Sequence, residues 1–254
     1  MLRCCLLLLL LPLGLKAQDT TEQVLGEIEV ALCEGAYQSA ARQLDTLEAV
    51  AGGLPVNGYL AQGNAYYEVG DYGRAILAYE RGLRLRPGHA DLRNNLAYVR
   101  EEAGISEPPL PDFVLLRWWR LAGAALGATT AYVLALVWWW LAVVGALWWY
   151  RYRNRMAEQR RFALLPAAGL CLFLALACFA LGHHREAYLD QSNEAVLLAV
   201  VADLRVSPTP EASVEATLTG GLKLRITDRV GDYVKVSLAD GRQGYLRATE
   251  LAVI

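Results

Sequence analysis

Between residues 21 and 103 the apolar positions recur every three or four residues, the mark of helices that bury one face. This spacing predicts helices over 22–33, 37–50, 56–69, 72–85 and 90–103. Gly35, Gly52-Gly53, Gly70 and Pro87-Gly88 fall between them, where helices stop. The pattern then changes twice. Residues 121–150 contain no charge over thirty positions, and 162–181 none over twenty. Each run reaches the ~20 residues that a helix needs to cross a bilayer, and in lipid only a helix satisfies its own backbone.

Past His183 the period falls to two. Val234, Val236 and Leu238 alternate with polar residues, Asp240-Gly241 supplies a hairpin turn, and Gln243 to Leu246 begin the return strand. Further strands are predicted at 195–200, 203–206, 214–219 and 222–229. Five or six short strands in so brief a segment predict a small all-β barrel. The fold class is thus a multidomain membrane protein, with an all-α region, two transmembrane helices and an all-β C-terminus.

Composition adds direction. A hydrophobic fraction of 55% in 254 residues exceeds that of an ordinary soluble domain. Part of the excess is at residues 1–17, where Arg3, the apolar run after it and a small residue at Ala17 have the order of a secretory signal peptide, a retained signal anchor being the alternative. All seven tryptophans lie in or beside the first charge-free run, with Trp118-Trp119 at one end and Trp148-Trp149 at the other. Indoles favour the membrane interface, so the first span is placed at 117–150 and the second at 162–182. The loop between, 151–161, has five arginines against one glutamate and belongs in the cytoplasm. The regions 19–104 and 194–254 then share the opposite side. Residues 105–116, with Pro108-Pro109 and Pro111, form a stiff linker from the helical region to the membrane. Residues 19–112 carry fifteen acidic and seven basic side chains, a net −8 that repels nucleic acid and favours a basic partner.

No phosphate loop, zinc motif or nucleophile elbow is present, and adjacent His183 and His184 point different ways on a helix. The reading is therefore not an enzyme, with no catalytic, cofactor or metal residue assigned.

The helical region repeats itself. Gly35-Ala-Tyr37-Gln-Ser-Ala40 returns thirty-five residues later as Gly70-Asp-Tyr72-Gly-Arg-Ala75. The stretch from Tyr59 through Gly63, Tyr66, Tyr72, Ala75 and Tyr79 to Pro87 resembles a tetratricopeptide repeat, departing at Gly82 where the family has alanine. The resemblance implies a concave face carrying Asn57, Leu60, Asn64 and Tyr67, then Asn94, Asn95 and Tyr98, as partner-binding residues. Asn64 and Asn95 match two positions of the carboxylate clamp of peptide-binding relatives, but Leu60 stands where that clamp has lysine. Asp203-Leu-Arg-Val-Ser-Pro208, Gly231-Asp-Tyr-Val-Lys-Val236 and Asp240-Gly-Arg-Gln-Gly-Tyr-Leu246 make 194–254 similar to bacterial SH3-like domains. The order of the modules resembles that of BatE-type proteins of the Bacteroides aerotolerance cluster. That resemblance implies a Gram-negative inner membrane and periplasmic soluble regions. It also implies a scaffold for a stress- or aerotolerance-related envelope complex, partnered by von Willebrand A-domain membrane proteins. The alternative is an envelope-anchoring or sensing protein whose SH3-like domain binds peptidoglycan.

Overall fold

The structure is a computed structural model that describes residues 27–28, 30–105, 114–152, 158–190 and 193–254. The expected signal peptide, residues 106–113 of the linker and 153–157 of the basic loop lie outside the described residues. The described chain divides into two compact units. One takes residues up to Leu83, His89–Glu107 and Glu194–Ile254; the other takes Arg84–Gly88 and Pro108–Asn193.

In the first unit, residues 30–33 are helical and lead into α1 (Tyr37–Ala51), α2 (Val56–Val69), α3 (Tyr72–Leu85) and α4 (Ala90–Glu102). The ends have local causes. Gly70 closes α2 at φ 82°, in the left-handed region that glycine enters without strain, and its N–H bonds back to the Tyr67 carbonyl. Asp71 then accepts the Arg74 N–H at 3.0 Å and opens α3 as an N-cap. Close packing depends on missing side chains: at Gly63 a Cβ would stand 2.6 Å from Tyr79 Cδ1, and at Gly82 2.8 Å from Leu92 Cδ1. The departure from alanine at Gly82 thus makes room for Leu92, which is fully buried.

The C-terminal strands are β1 (Glu194–Leu197), β2 (Val201–Arg205), β3 (Val214–Thr219), β4 (Lys223–Val230), β5 (Tyr233–Ser237), β6 (Gln243–Arg247) and β7 (Leu251–Val253). They form one antiparallel sheet in the order β3-β2-β6-β5-β4-β1-β7. Val234, Val236 and Leu238 enter a core with Leu197, Leu204, Leu218, Leu224 and Leu246, as their alternation predicts. The expected closed barrel is corrected to an open sheet. Among the described residues β3 and β7 end the order without pairing to each other. The β7 edge is instead covered by a helix: the Arg81 guanidinium of α3 donates to the Val253 carbonyl at 2.7 and 3.2 Å.

Read from sequence as separate modules, the helices and the sheet share one core. Val196 and Ile254 from the strands join Tyr66, Ile76, Leu92, Leu96, Val99 and Ile105 in a single buried cluster.

The second unit contains α5 (Val114–Leu126), α6 (Ala128–Tyr152) and α7 (Glu158–Asp190). The single helix expected over 117–150 is two helices, because Gly127 adopts φ 73° and ends the first. Trp118 and Trp119 therefore stand on α5 rather than at the end of the long helix. α6 and α7 run antiparallel with small residues between them. Ala131, Ala135, Ala142 and Ala175 are buried, and a Cβ on Gly182 would meet the Tyr132 ring at 3.1 Å. Two stretches, Ala128–Tyr152 and Pro166–Asp190, are long and apolar enough to cross a membrane, and only 17% of each apolar window is buried.

Candidate functional site

The helical region holds a groove of about 510 Å³ between its helices. α2 supplies one wall from Asn57, Leu60, Ala61, Asn64, Tyr67 and Glu68, positions at helical spacing along one face. Asn95, Tyr98 and Val99 of α4 form the other wall, with Leu32 and Tyr37 at one end and Tyr79 of α3 on the floor. Six of the seven residues singled out from sequence are gathered here. Asn94 is not: it is exposed on α4, because neighbours on a helix point about 100° apart and Asn95 takes the inward position.

The polar groups of the groove hold one another in place. Asn64 Oδ1 accepts from the Tyr79 hydroxyl at 2.8 Å and from Asn95 Nδ2 at 2.9 Å. Through Asn64, α2 is thereby tied to both α3 and α4. Glu102, at the end of α4, accepts from Tyr67 at 2.8 Å and from Tyr72 at 3.3 Å. Tyr67 meets Tyr98 edge-on, with ring centroids 5.7 Å apart.

Tyr67, Tyr72 and Tyr79 are held protonated. Hydrogen bonding with Tyr98 and then with Glu102 raises Tyr67 above the ordinary tyrosine value, and the Glu102 charge raises Tyr72. Burial pushes Tyr79 up to about 12, against a lowering contribution from its hydrogen bond with Asn95. At neutral pH the groove thus offers neutral hydroxyls, amides and apolar surface, with Glu68 as the lining carboxylate. Such groups can form hydrogen bonds and flat apolar contacts.

Sequence reasoning passed over Tyr37, Glu68, Tyr79 and Glu102. Glu102 was within reach, since 95, 98, 99 and 102 follow one helical face. Tyr37 and Tyr79 stand in the sequence as repeat positions, and both pack against the core while also lining the groove.

A second, smaller pocket of about 230 Å³ lies on the sheet, lined by Asp203, Arg205, Tyr233, Tyr245, Arg247 and Glu250 with Val201 and Ala202. Tyr245 is half-buried in this pocket.

The TPR repeat family model matches residues 63–104, from the middle of α2 to just past α4. No curated protein and no solved structure matches the chain. The matched segment supplies Asn64, Tyr67, Tyr79, Asn95 and Tyr98 to the groove, so this part of the site is built by helical repeats of a type that serves protein–protein interaction.

Proposed function

We propose that the chain is a membrane-anchored scaffold whose repeat groove takes a segment of a partner envelope protein. The observation that carries this reading is the groove itself. Its amides and phenols are fixed by mutual hydrogen bonds, so less side-chain freedom is lost when a partner binds. The excess acidic charge of 19–112 favours a partner segment that is basic.

The anchoring part rests on α6 and α7. Leu136, Trp140, Leu147, Phe173 and Leu176 are more than half exposed on them, a surface that water disfavours and hydrocarbon accepts. The arginine-rich loop favours the cytoplasm, which supports a periplasmic position for the repeats and the sheet. The module order, like that of BatE-type proteins, favours von Willebrand A-domain membrane proteins as the partner class.

The test is site-specific photocrosslinking in native membranes, with the probe at Tyr67 and a control at Lys235. A discrete protein adduct at Tyr67, lost in an Asn64→Ala/Asn95→Ala variant, is the expected result. No adduct at Tyr67 in any growth condition overturns the proposal.

The sheet pocket favours a second reading, in which the SH3-like region contacts peptidoglycan. Tyr245 offers a flat face for a sugar ring, and Arg247 a cation for a carboxylate. Retention of the full chain on purified sacculi, lost in Tyr245→Ala/Arg247→Glu, separates this reading from the first.

A further inference from the structure

The helices stop one short. α4 has the place of the first helix of a new repeat, and no second helix follows it among the described residues before the chain departs at Ile105. In stacked repeats such an end leaves apolar surface that a capping element must cover. Here that surface includes Ile76 of α3 and Ile105, and it is covered by the sheet. Gly221, in the turn between β3 and β4, lies so close that a Cβ there would stand 2.6 Å from Ile105 Cδ1 and 2.7 Å from Ile76 Cδ1. Gly73 of α3 faces the backbone of Leu197 and Leu198 in the same way, at 3.4 and 3.5 Å.

A chain of charges runs through the same contact. Arg100 of α4 donates to Glu80 of α3 at 2.7 Å. The second oxygen of Glu80 receives Lys223 of β4 at 3.0 Å, and Lys223 also reaches Glu194 of β1 at 2.8 Å. The Glu80 side chain is only 10% exposed, so it is a carboxylate held out of water by two cations, one from each side of the contact. Arg100 belongs to the helix that gives the groove Asn95, Tyr98 and Val99, and whose Glu102 accepts from Tyr67. α4 is therefore held from the groove side by Asn64 and Tyr67, and from the back by Glu80, Lys223 and the sheet.

We infer that the C-terminal sheet closes the repeat array and that Lys223, through Glu80 and Arg100, is a positioning residue for the groove. The inference rests on the groove reading above, but its first test does not need the partner.

Hydrogen exchange of the full chain in detergent micelles is measured for the wild type, Lys223→Glu, Lys223→Arg and Gly221→Val. The expected result is exchange in residues 90–102 faster by about tenfold or more in Lys223→Glu and Gly221→Val, near wild type in Lys223→Arg, with β5 and β6 protected throughout. Unchanged exchange in 90–102 while β1 loses protection overturns the inference. So does a loss spread evenly through β5 and β6, which makes Lys223 a general fold residue. Should Lys223→Glu fail to fold, Lys223→Met, which removes the charge and keeps most of the volume, is judged by the same criteria.

Photocrosslinking from Tyr67 then separates the two readings. An adduct lost in Lys223→Glu and kept in Lys223→Arg supports the coupling, and an adduct indifferent to both overturns it. A helix that responds to Lys223→Glu in a protein with no Tyr67 adduct leaves the coupling standing and removes the partner groove.

Discussion

Replacing Gly63 with alanine tests the packing on which the groove depends. The site is in the interior of α2, where alanine is favoured over glycine by about 1 kcal/mol, so local propensity alone predicts a more stable protein. The added Cβ would lie 2.6 Å from Tyr79 Cδ1 and 2.7 Å from Cζ, about 1 Å inside ordinary carbon contact. Tyr79 cannot simply withdraw. It is 1% exposed and its hydroxyl is bound to Asn64. Overpacking of this kind costs about 1–3 kcal/mol, and displacing the ring also weakens a hydrogen bond worth about 1 kcal/mol. Against the propensity gain, the net is a loss of about 2 kcal/mol. The assay is pulse proteolysis of the full chain across a urea series in micelles, following cleavage within residues 37–102. Gly82→Ala is the comparison: its Cβ meets the flexible end of Leu92 at 2.8 Å, so its cost is smaller. A Gly63→Ala protein as stable as the wild type, or more so, would refute the reasoning, because helix propensity would have outweighed the clash.

Leu204 is fully buried in the sheet core, so Leu204→Ala is expected to cost about 2–5 kcal/mol in the same urea series. The contact between repeats and sheet should weaken in alkali. Burial lowers Lys223, but Glu80 and Glu194 together hold it above its ordinary 10.5. A group raised on folding contributes its full stability below the unfolded value and loses it as pH climbs through the folded one. Exchange protection of residues 90–102 is therefore steady up to about pH 10 and falls above it, and Lys223→Arg carries it to higher pH. The proposed topology is checked with single cysteines in a background lacking the native ones, labelled by an impermeant maleimide. Tyr98→Cys and Lys235→Cys are expected to react from one face of the membrane and Met156→Cys from the other.

Much of this architecture is legible in short-range pattern, because its causes are short-range. The limits of α2 and α3 follow from the glycines and from Asp71, all within a few residues of the ends they set. The groove walls follow from spacing, since residues on one face of α2 must face together once the helix forms. What pattern could not reveal has longer reach. Gly127 reads as one more small residue in an apolar run, and only its backbone angle breaks the helix. The three residues of β7 are too few to show alternation, and they follow a 3₁₀ turn rather than a hairpin signal. Most of all, the contacts of Glu80 with Lys223 and of Ile76 with Gly221 join residues more than a hundred positions apart, and such pairs leave no period in the sequence.

Those long-range contacts bear on topology. The first unit draws its core from chain on both sides of α6 and α7: Ile76 and Leu96 come before the two helices, and Val196 and Ile254 after them. A unit so divided is completed only if both parts lie in the same compartment. The intervening helices must therefore cross the membrane together or not at all, since one crossing would leave Val196 and Ile76 on opposite faces. Exposed apolar surface on both helices argues for two crossings, and the five arginines of the connecting loop favour a direction. On this topology α4 is made early in synthesis but lacks its backing until the last strands arrive, because Lys223 and Ile254 follow both helices in the chain. On that proposal the two apolar helices and the C-terminal sheet belong to one device. On the proposed topology the hairpin would return the chain to the compartment of the repeats, where the sheet, as inferred above, would supply the face that a further helix otherwise provides.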